Sequence, residues 1–585
     1  MGEAVDAPQR AEAAPPQADG ARRLSITVLA GLSLVLGVIV GWRTVVEGLL
    51  SQSDAYQRVS RLIASYEAGH ILDHIPRDNA GTYIALHWSH LLDAIIVLLA
   101  LPLVPFVGVV KALHYGGAMI GPLSLFFAAL ATVVAVERIC GQIAHAAVVG
   151  AMAIMGPPII AYGAFGQADH HVLMGALAIA CPAFAYTRAW DAGEWRTAAL
   201  GGSLAALGTW VTPEMVPFAL FGWATAILCD VEAKGGMDRR TIAFAAAQLI
   251  VLVLAFAIDP PAPERFAAEA DRLSLPFVEL GLLMLAIALL ASRFAPRLQG
   301  SWPPAILAGA IVIIGLSPWA VLHPELLRGP SGIFSEASQA RVWKFISEMR
   351  PLNSLQLAFG LGVFPTAALI VTIALMLWRR ISPLAVLVAG MVTIVIVFAW
   401  LHLRFAVYLH LAAATAIGVV LGAALLRLPA GRPRRIAALA AMFFGVAPFV
   451  AMAIVPRDEK IEARGACSIQ KAAAALDSQA GRVVLTELNY APALIYFTRA
   501  IAVAGPYHRS EKLIIALLDS WREPVFKDAM PASFAATHAQ SVLVCRNDDY
   551  PPGSLGAALA AGETPAWLRE LPMPAESNFR LLEVR

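Results

Sequence analysis

The chain has 585 residues, 59% hydrophobic and 14% charged, with a net charge of +2 and a mean hydropathy of +0.69. Soluble globular proteins carry about 25% charged residues, so this composition excludes an ordinary soluble globule, and the near-neutral balance offers no nucleic-acid surface. An apolar helix of about 20 residues crosses the hydrocarbon layer, and the apolar surplus is accounted for by many such helices.

Residues 1–21, rich in Ala, Pro and Gln, read as a disordered tail. Arg22-Arg23 then opens an apolar run too long for a signal peptide and without a clear small-residue cleavage site, so it reads as an uncleaved first helix. Spans are expected near 24–42, 115–136, 141–160, 172–187, 197–214, 216–230, 241–258, 275–292, 303–320, 355–378, 383–401, 405–426 and 436–455. Basic clusters at Arg22-Arg23, Arg188 with Arg196, Lys234 with Arg239-Arg240, Arg293 with Arg297, Arg379-Arg380, and Arg432 with Arg434-Arg435 fall in alternate loops. Positive loops stay inside, which predicts an internal N-terminus and an external region after 456. His87 to Val110 is apolar enough to span, but counting it puts Asp54 and Asp169 on opposite sides. Parity makes it an interfacial or partly embedded helix of a first outer loop, 43–114; otherwise it spans and one of the helices at 172–187 or 216–230 does not. The expected fold is thus a polytopic α-helical membrane domain, 22–455, of about 13 spans, with a second outer loop at 321–354.

Residues 456–585 read as a small outer α/β domain with a parallel sheet. Arg482 to Leu485 and Ser541 to Cys545 are its buried strands; Ile469 to Leu476, Glu511 to Ala516 and Ser554 to Ala561 are its helices. Cys467 and Cys545 are its only cysteines, and in an external, oxidising compartment they are predicted to form a disulfide.

Charged residues at the edge of a span are costly unless paired or hydrated, which makes each a functional candidate. On this topology Asp54, Asp78, His87, His90, Asp93, Asp169, His170, His171, Glu214, Glu348, Arg350 and Arg404 converge on the outer face. A transporter more often places ionisable groups at the bilayer midplane, so helix-end positions favour chemistry at the surface. Asp169-His170-His171 is the densest group, with mixed O/N donors suited to Mn²⁺ or Mg²⁺; hydrated loop residues are the plain alternative.

Five stretches carry a resemblance. Ser53-Asp54-Ala55-Tyr56 with Arg58 and Arg61 resembles the Asp-x-Tyr…Arg start of the first outer loop in oligosaccharyltransferase catalytic subunits, the STT3/AglB/PglB group of GT-C glycosyltransferases. Leu86-His87-Trp88-Ser89 with Leu91-Leu92-Asp93 is similar to that family's His-Trp-Pro-Pro-Leu-x-Asp, and Gly166 to His171 to its second acidic motif in the Asp-His-His form. Phe345 to Pro351 is similar to the Ser-Val-Ser-Glu-x-Gln-Pro of its long, mobile outer loop, and Arg404 to Tyr408 to its Arg-Phe-x-x-Phe/Tyr. The resemblance implies that Asp54, Asp169 and His171 hold a divalent ion, with His87 close by. It implies that Glu348 reaches that site when the loop closes, and that Arg404, with His87, contacts the phosphate or pyrophosphate of a polyprenyl-linked sugar donor. Asp54 would accept a proton or hydrogen bond from the acceptor nucleophile.

The acceptor half departs from the family pattern. Where the family has Trp-Trp-Asp-Tyr-Gly, this chain has Glu487-Leu488-Asn489-Tyr490-Ala491 within Val484 to Pro492; only the tyrosine matches clearly, and Asn489 stands where the Asp would be. Ala504 to Arg509 lies where the family places Asp-Asn-Asn, so Tyr490, His508 and Arg509 are the acceptor-side candidates. The expected activity is inverting transfer of a sugar or oligosaccharide to a glycan, lipid or protein acceptor on the external face of a bacterial or archaeal-type plasma membrane. Membrane lipids would be the other partner. A protein N-glycosylating enzyme and a lipid-glycan flippase are the alternatives.

Overall fold

The computed structural model describes residues 16–140, 156–186, 194–232, 239–259, 266–298, 304–328, 336–343, 345–379, 383–425, 467–524 and 529–585. The spans expected at 141–160 and 436–455 fall mostly and wholly outside these residues. Among the described residues, five helices are long and apolar enough to cross a membrane: Ile26–Val46, Val109–Arg138, Pro213–Val231, Arg239–Ile258 and Leu275–Arg293. Shorter apolar helices include His171–Ala185, Ile306–Leu322, Val388–Leu401 and Leu403–Gly418. Their outward faces are apolar, with Ile39, Leu254, Ile313 and Val321 all more than half exposed. Such a surface is stable only against lipid, and the chain is a membrane protein.

The stretch from His87 to Val110 is a broken hairpin. Leu91–Ala100 is a ten-residue helix, about 15 Å long at 1.5 Å per residue, half of a hydrocarbon layer of about 30 Å. Pro102 and Pro105 interrupt the next two turns, and Gly108 reverses the chain at φ 78°, a conformation that costs glycine nothing. The Val109–Ala118 helix then packs back along Leu91–Ala100, with Gly116 so close to Ile96 and Ala100 that a Cβ there would collide with the Ile96 carbonyl oxygen.

Glycines set the spacing of the first helix, Pro16–Val46. A Cβ on Gly41 would collide with the Phe165 backbone. Phe165 N donates to Gly37 O at 2.9 Å, and Ser51 N to Gly166 O at 3.1 Å. These bonds tie the start of the first outer loop to the segment carrying Asp169.

The C-terminal domain holds a five-stranded sheet in the order β2-β1-β3-β5-β4, with β1 Val483–Leu485, β2 Ile501–Ala502, β3 Ser541–Cys545, β4 Leu568–Leu571 and β5 Phe579–Val584. β1 pairs parallel with β2 and β3, but β5 runs antiparallel to both β3 and β4. The sheet is therefore mixed, not parallel as the sequence predicts. The connection between β4 and β5 is too short for a crossover helix, so the two strands must be antiparallel. Cys467 and Cys545 are disulfide-bonded.

Candidate active site

Short turns between helices at one end of the bundle deliver the polar residues. Asp54 sits in the first turn of the Ser53–Ala68 helix, near its positive end. Asp169 and His170 immediately precede the His171–Ala185 helix. Glu214 lies in the turn Pro213–Met215, and Arg404 in the turn Leu403–Phe405. Glu348 comes from Ser347–Met349. All except Asp169 line one cavity of about 350 Å³, and buried Asp169 lies behind His171 at its wall.

His171 Nε2 lies 3.3 Å from Glu348 Oε2 and 3.6 Å from Asp169 Oδ2. The His170 backbone N–H donates to Asp169 Oδ1 at 2.5 Å. Donor atoms of Asp169, His170 and His171 lie within 4.8 Å of one another, and all three residues are buried. Burial, then Glu348 and Asp169, push the Asp54 carboxyl up to about 8. Burial acts the same way on Asp169, but His171 and His170 outweigh it and hold that carboxyl well below the usual range. Asp169 Oδ2 and the Nδ1 atom of His171 are buried without a hydrogen-bond partner among the described residues, and His170 Nδ1 lies 3.0 Å from Asp169 Oδ1. The close group of Asp169, His170 and His171, with Asp169 Oδ2 and His171 Nδ1 unsatisfied, fits a divalent cation; Asp54 is not part of that close group.

Arg404 Nη2 pairs with Glu214 Oε1 at 2.6 Å, and its guanidinium lies 5.0 Å over Phe405. The Glu348 segment is fastened to this turn: Leu403 N donates to Arg350 O at 2.9 Å, and His402 Nδ1 meets Met349 O at 3.1 Å. Its other flank enters the C-terminal domain. Val342, Phe345 and Ile346 pack into the core with Leu485, Val503 and Trp521, and Arg522 lies 4.5 Å over the Phe345 ring.

A buried network supports Asp54 from behind. Arg61 Nη2 meets Asp93 Oδ2 at 2.6 Å, Arg58 Nη1 lies 3.6 Å from Asp93 Oδ1, and the Arg58 guanidinium sits 4.3 Å over Trp88. Two of the sequence candidates have similar structural ties. Asp78 accepts from Gln57, Asn79 N and Gly505 N, and His90 is bound to Asp259.

The acceptor-side candidates separate. Tyr490 donates to Asp548 at 3.3 Å and packs on Phe579, inside the small domain and off the cavity. His508 lines the cavity, and Arg509 holds Asp271 beside it: His508 Nε2 lies 2.6 Å from Asp271 Oδ2, Arg509 Nε donates to Oδ2 at 2.7 Å and Nη2 to Oδ1 at 2.7 Å. His87 stacks near His508 with ring centroids 4.4 Å apart, and not near Arg404 among the described contacts. Burial, then the neighbouring His508 ring, push the His87 imidazole well below its usual range. Two polar cavity residues with partners at the site, Tyr507 and Asp271, are not among the sequence candidates. Tyr507 donates its hydroxyl to Asp54 Oδ1 at 3.2 Å, and Asp271 anchors the far wall. The available signals are the Gly505-Pro506-Tyr507 turn and the dense charges of 259–272.

No protein-family model matches the chain, and no curated protein matches it. Solved structures do. The archaeal oligosaccharyltransferase AglB from Archaeoglobus fulgidus, in complex with an inhibitory peptide and a dolichol-phosphate, aligns with a TM-score of 0.63 at 14% identity, over 91% of this chain and 70% of that one. The same protein tethered to an acceptor peptide containing the NVT sequon gives 0.62 at 13% identity, over 90% and 69%. Its complex with Zn and sulfate gives 0.57 at 12%, over 89% and 68%. The chain therefore shares the fold of these archaeal oligosaccharyltransferases, a helical membrane domain with a smaller C-terminal domain. It is an AglB-like fold in a divergent sequence.

Proposed function

We propose that this chain is a membrane glycosyltransferase that moves a sugar or oligosaccharide from a polyprenyl phosphate or pyrophosphate to an acceptor at the external face of the membrane. One observation carries the reading. Asp54, His171, Glu348 and Arg404, from four distant segments, line a single cavity backed by Asp169, within an AglB fold. Asp54, Asp169 and His171 would hold a divalent ion such as Mn²⁺ or Mg²⁺. When bound, that ion supplies charge neutralisation for the leaving phosphate. Glu348, held against His171, closes the site from the outer loop. Arg404 offers a planar, permanently charged fork to phosphoryl oxygens, released from Glu214 when the donor arrives. Asp54 accepts a hydrogen bond or proton from the acceptor nucleophile, and displacement on the opposite face of the anomeric carbon inverts its configuration.

Protein N-glycosylation is the second reading, favoured by the AglB complex that carries an NVT peptide. Against it stand the absence of the Trp-Trp-Asp stretch and the position of Tyr507 on Asp54. The test measures polyprenyl-linked glycans and external glycoconjugates by mass spectrometry in cells with and without the protein, and with Asp54→Ala and Asp169→Ala variants. Loss of the protein or of either carboxylate should accumulate a lipid-linked glycan and remove a glycoconjugate. Normal turnover in both variants at normal protein level would overturn the metal-assisted reading. A glycosylated Asn in the missing product would select the second reading.

A further inference from the structure

Apart from Asp169-His170-His171, the cavity has one other cluster of metal-competent donors among the described residues: His87, Asp271 and His508, whose donor atoms all lie within 4.8 Å of one another. The three come from separate parts of the fold: the first outer loop, the segment before the Leu275–Leu298 helix, and the C-terminal domain. All three line the cavity. His87 Nδ1 is buried without a hydrogen-bond partner among the described residues, although its ring is only 4.4 Å from that of His508. A buried imidazole nitrogen without a hydrogen-bond partner, on a ring grouped with a carboxylate and a second imidazole, is an unmet polar group that a bound ion would satisfy.

We propose that His87, Asp271 and His508 form a second divalent-metal site, of the kind that takes Zn²⁺ or Co²⁺, which clasps the C-terminal domain onto the first outer loop. Two imidazoles and a carboxylate are a common three-ligand set for such ions, with the fourth position left open. Here that position faces the cavity, where water or an anionic substrate oxygen completes it. Arg509 acts as the outer partner of the ligating carboxylate: its two hydrogen bonds fix the plane of Asp271, as neighbours of metal-bound carboxylates do. Its charge is balanced locally, since Glu269 pairs with both Arg509, at 3.1 Å, and Arg272, at 2.6 Å. The inference stands on residues separate from Asp54, Asp169 and His171 and does not depend on their role.

The experiment uses the full-length protein in detergent, stripped with a chelator and titrated with Co²⁺, with bound metal counted by mass spectrometry and followed by visible absorption. Wild type should take about two ions per chain, and His508→Ala or His87→Ala about one. Asp169→Ala should also take about one, with the absorption of the His/Asp site intact. His508→Cys should regain the second ion and add a cobalt–thiolate charge-transfer band in the near ultraviolet, a readout that does not depend on how well the alanine variants fold. Equal stoichiometry in wild type and both alanine variants, or a folded His508→Cys without the thiolate band, overturns the proposal and leaves a hydrogen-bonded clasp. A single wild-type ion lost in Asp169→Ala but kept in His508→Ala overturns this site alone. A single ion with the opposite behaviour supports this site and overturns the metal at Asp169.

Discussion

Replacing Asp271 by alanine removes the anchor that joins the far wall of the cavity to the C-terminal domain. Its side chain is 1% exposed, and both oxygens are used, two bonds going to Arg509 and one to His508. Removing one partner of a buried ion pair costs about 3–5 kcal/mol, because the other charge is left desolvated. Arg509 keeps Glu269 at 3.1 Å and is 15% exposed, so the cost falls to the bottom of that range or just below it, about 2–3 kcal/mol. At 1.4 kcal/mol per decade, local opening should rise about 30- to 150-fold. The assay is amide hydrogen exchange of residues 503–512 in the full-length protein, with chelator present so that hydrogen bonds alone hold the contact. Residues 541–545, in the central strand of the sheet, serve as the unchanged control. Exchange within about threefold of wild type would show that Gly505–Asp78 and the other ties carry the docking, and the Asp271 reasoning would fail.

Arg404→Lys should raise the apparent KM for a lipid-linked donor about tenfold or more with the fold intact, because an ammonium cannot reproduce a bidentate phosphoryl contact; an unchanged KM refutes the phosphate role. Chelation should abolish donor turnover and Mn²⁺ or Mg²⁺ restore it, as read by release of the polyprenyl carrier. Breaking Cys467–Cys545, which closes a loop with a sequence separation of 78, should destabilise the small domain by about 2–4 kcal/mol, seen as a lower melting temperature of wild type in reductant and no further effect on Cys467→Ser. Burial, then Asp548, raise the Glu487 carboxyl to about 7. A carboxyl raised in the folded state favours folding below its unfolded pKa, and that contribution fades as pH climbs through the folded value. Glu487→Gln should therefore stabilise the domain by about 1–2 kcal/mol at pH 8 and leave it unchanged near pH 4. Identical pH profiles for variant and wild type would sink the argument.

Most of the charged residues that line or back the cavity are readable in the sequence because each is marked locally. A charge at the end of an apolar run is expensive, so Asp54, Asp169, Glu214 and Arg404 stand out one by one. Tyr507 and Asp271 carry no such mark. Tyr507 reads as a core aromatic until the fold brings it to a carboxylate more than 450 positions earlier, and Asp271 is one of several acids in its loop. His87 was readable as a site residue, but its neighbours were not, since Asp271 and His508 reach it only through tertiary packing. The mixed sheet was missed for a different reason. β4 is a short edge strand with only Leu568 buried, so it lacks the continuous apolar run that marks β3.

The segment bearing Glu348 shares a hydrophobic core with strands and helices that lie more than 130 residues further along the chain, Leu485 and Trp521 among them. A nascent chain that has already inserted its helices has Asp54, Asp169 and Arg404 in place and lacks the surface on which Phe345 and Ile346 come to rest. Synthesis itself therefore orders the assembly. A part of the polypeptide that leaves the ribosome later seats an acidic side chain encoded far upstream, and a product that stops before Leu485 is expected to leave this cavity unassembled.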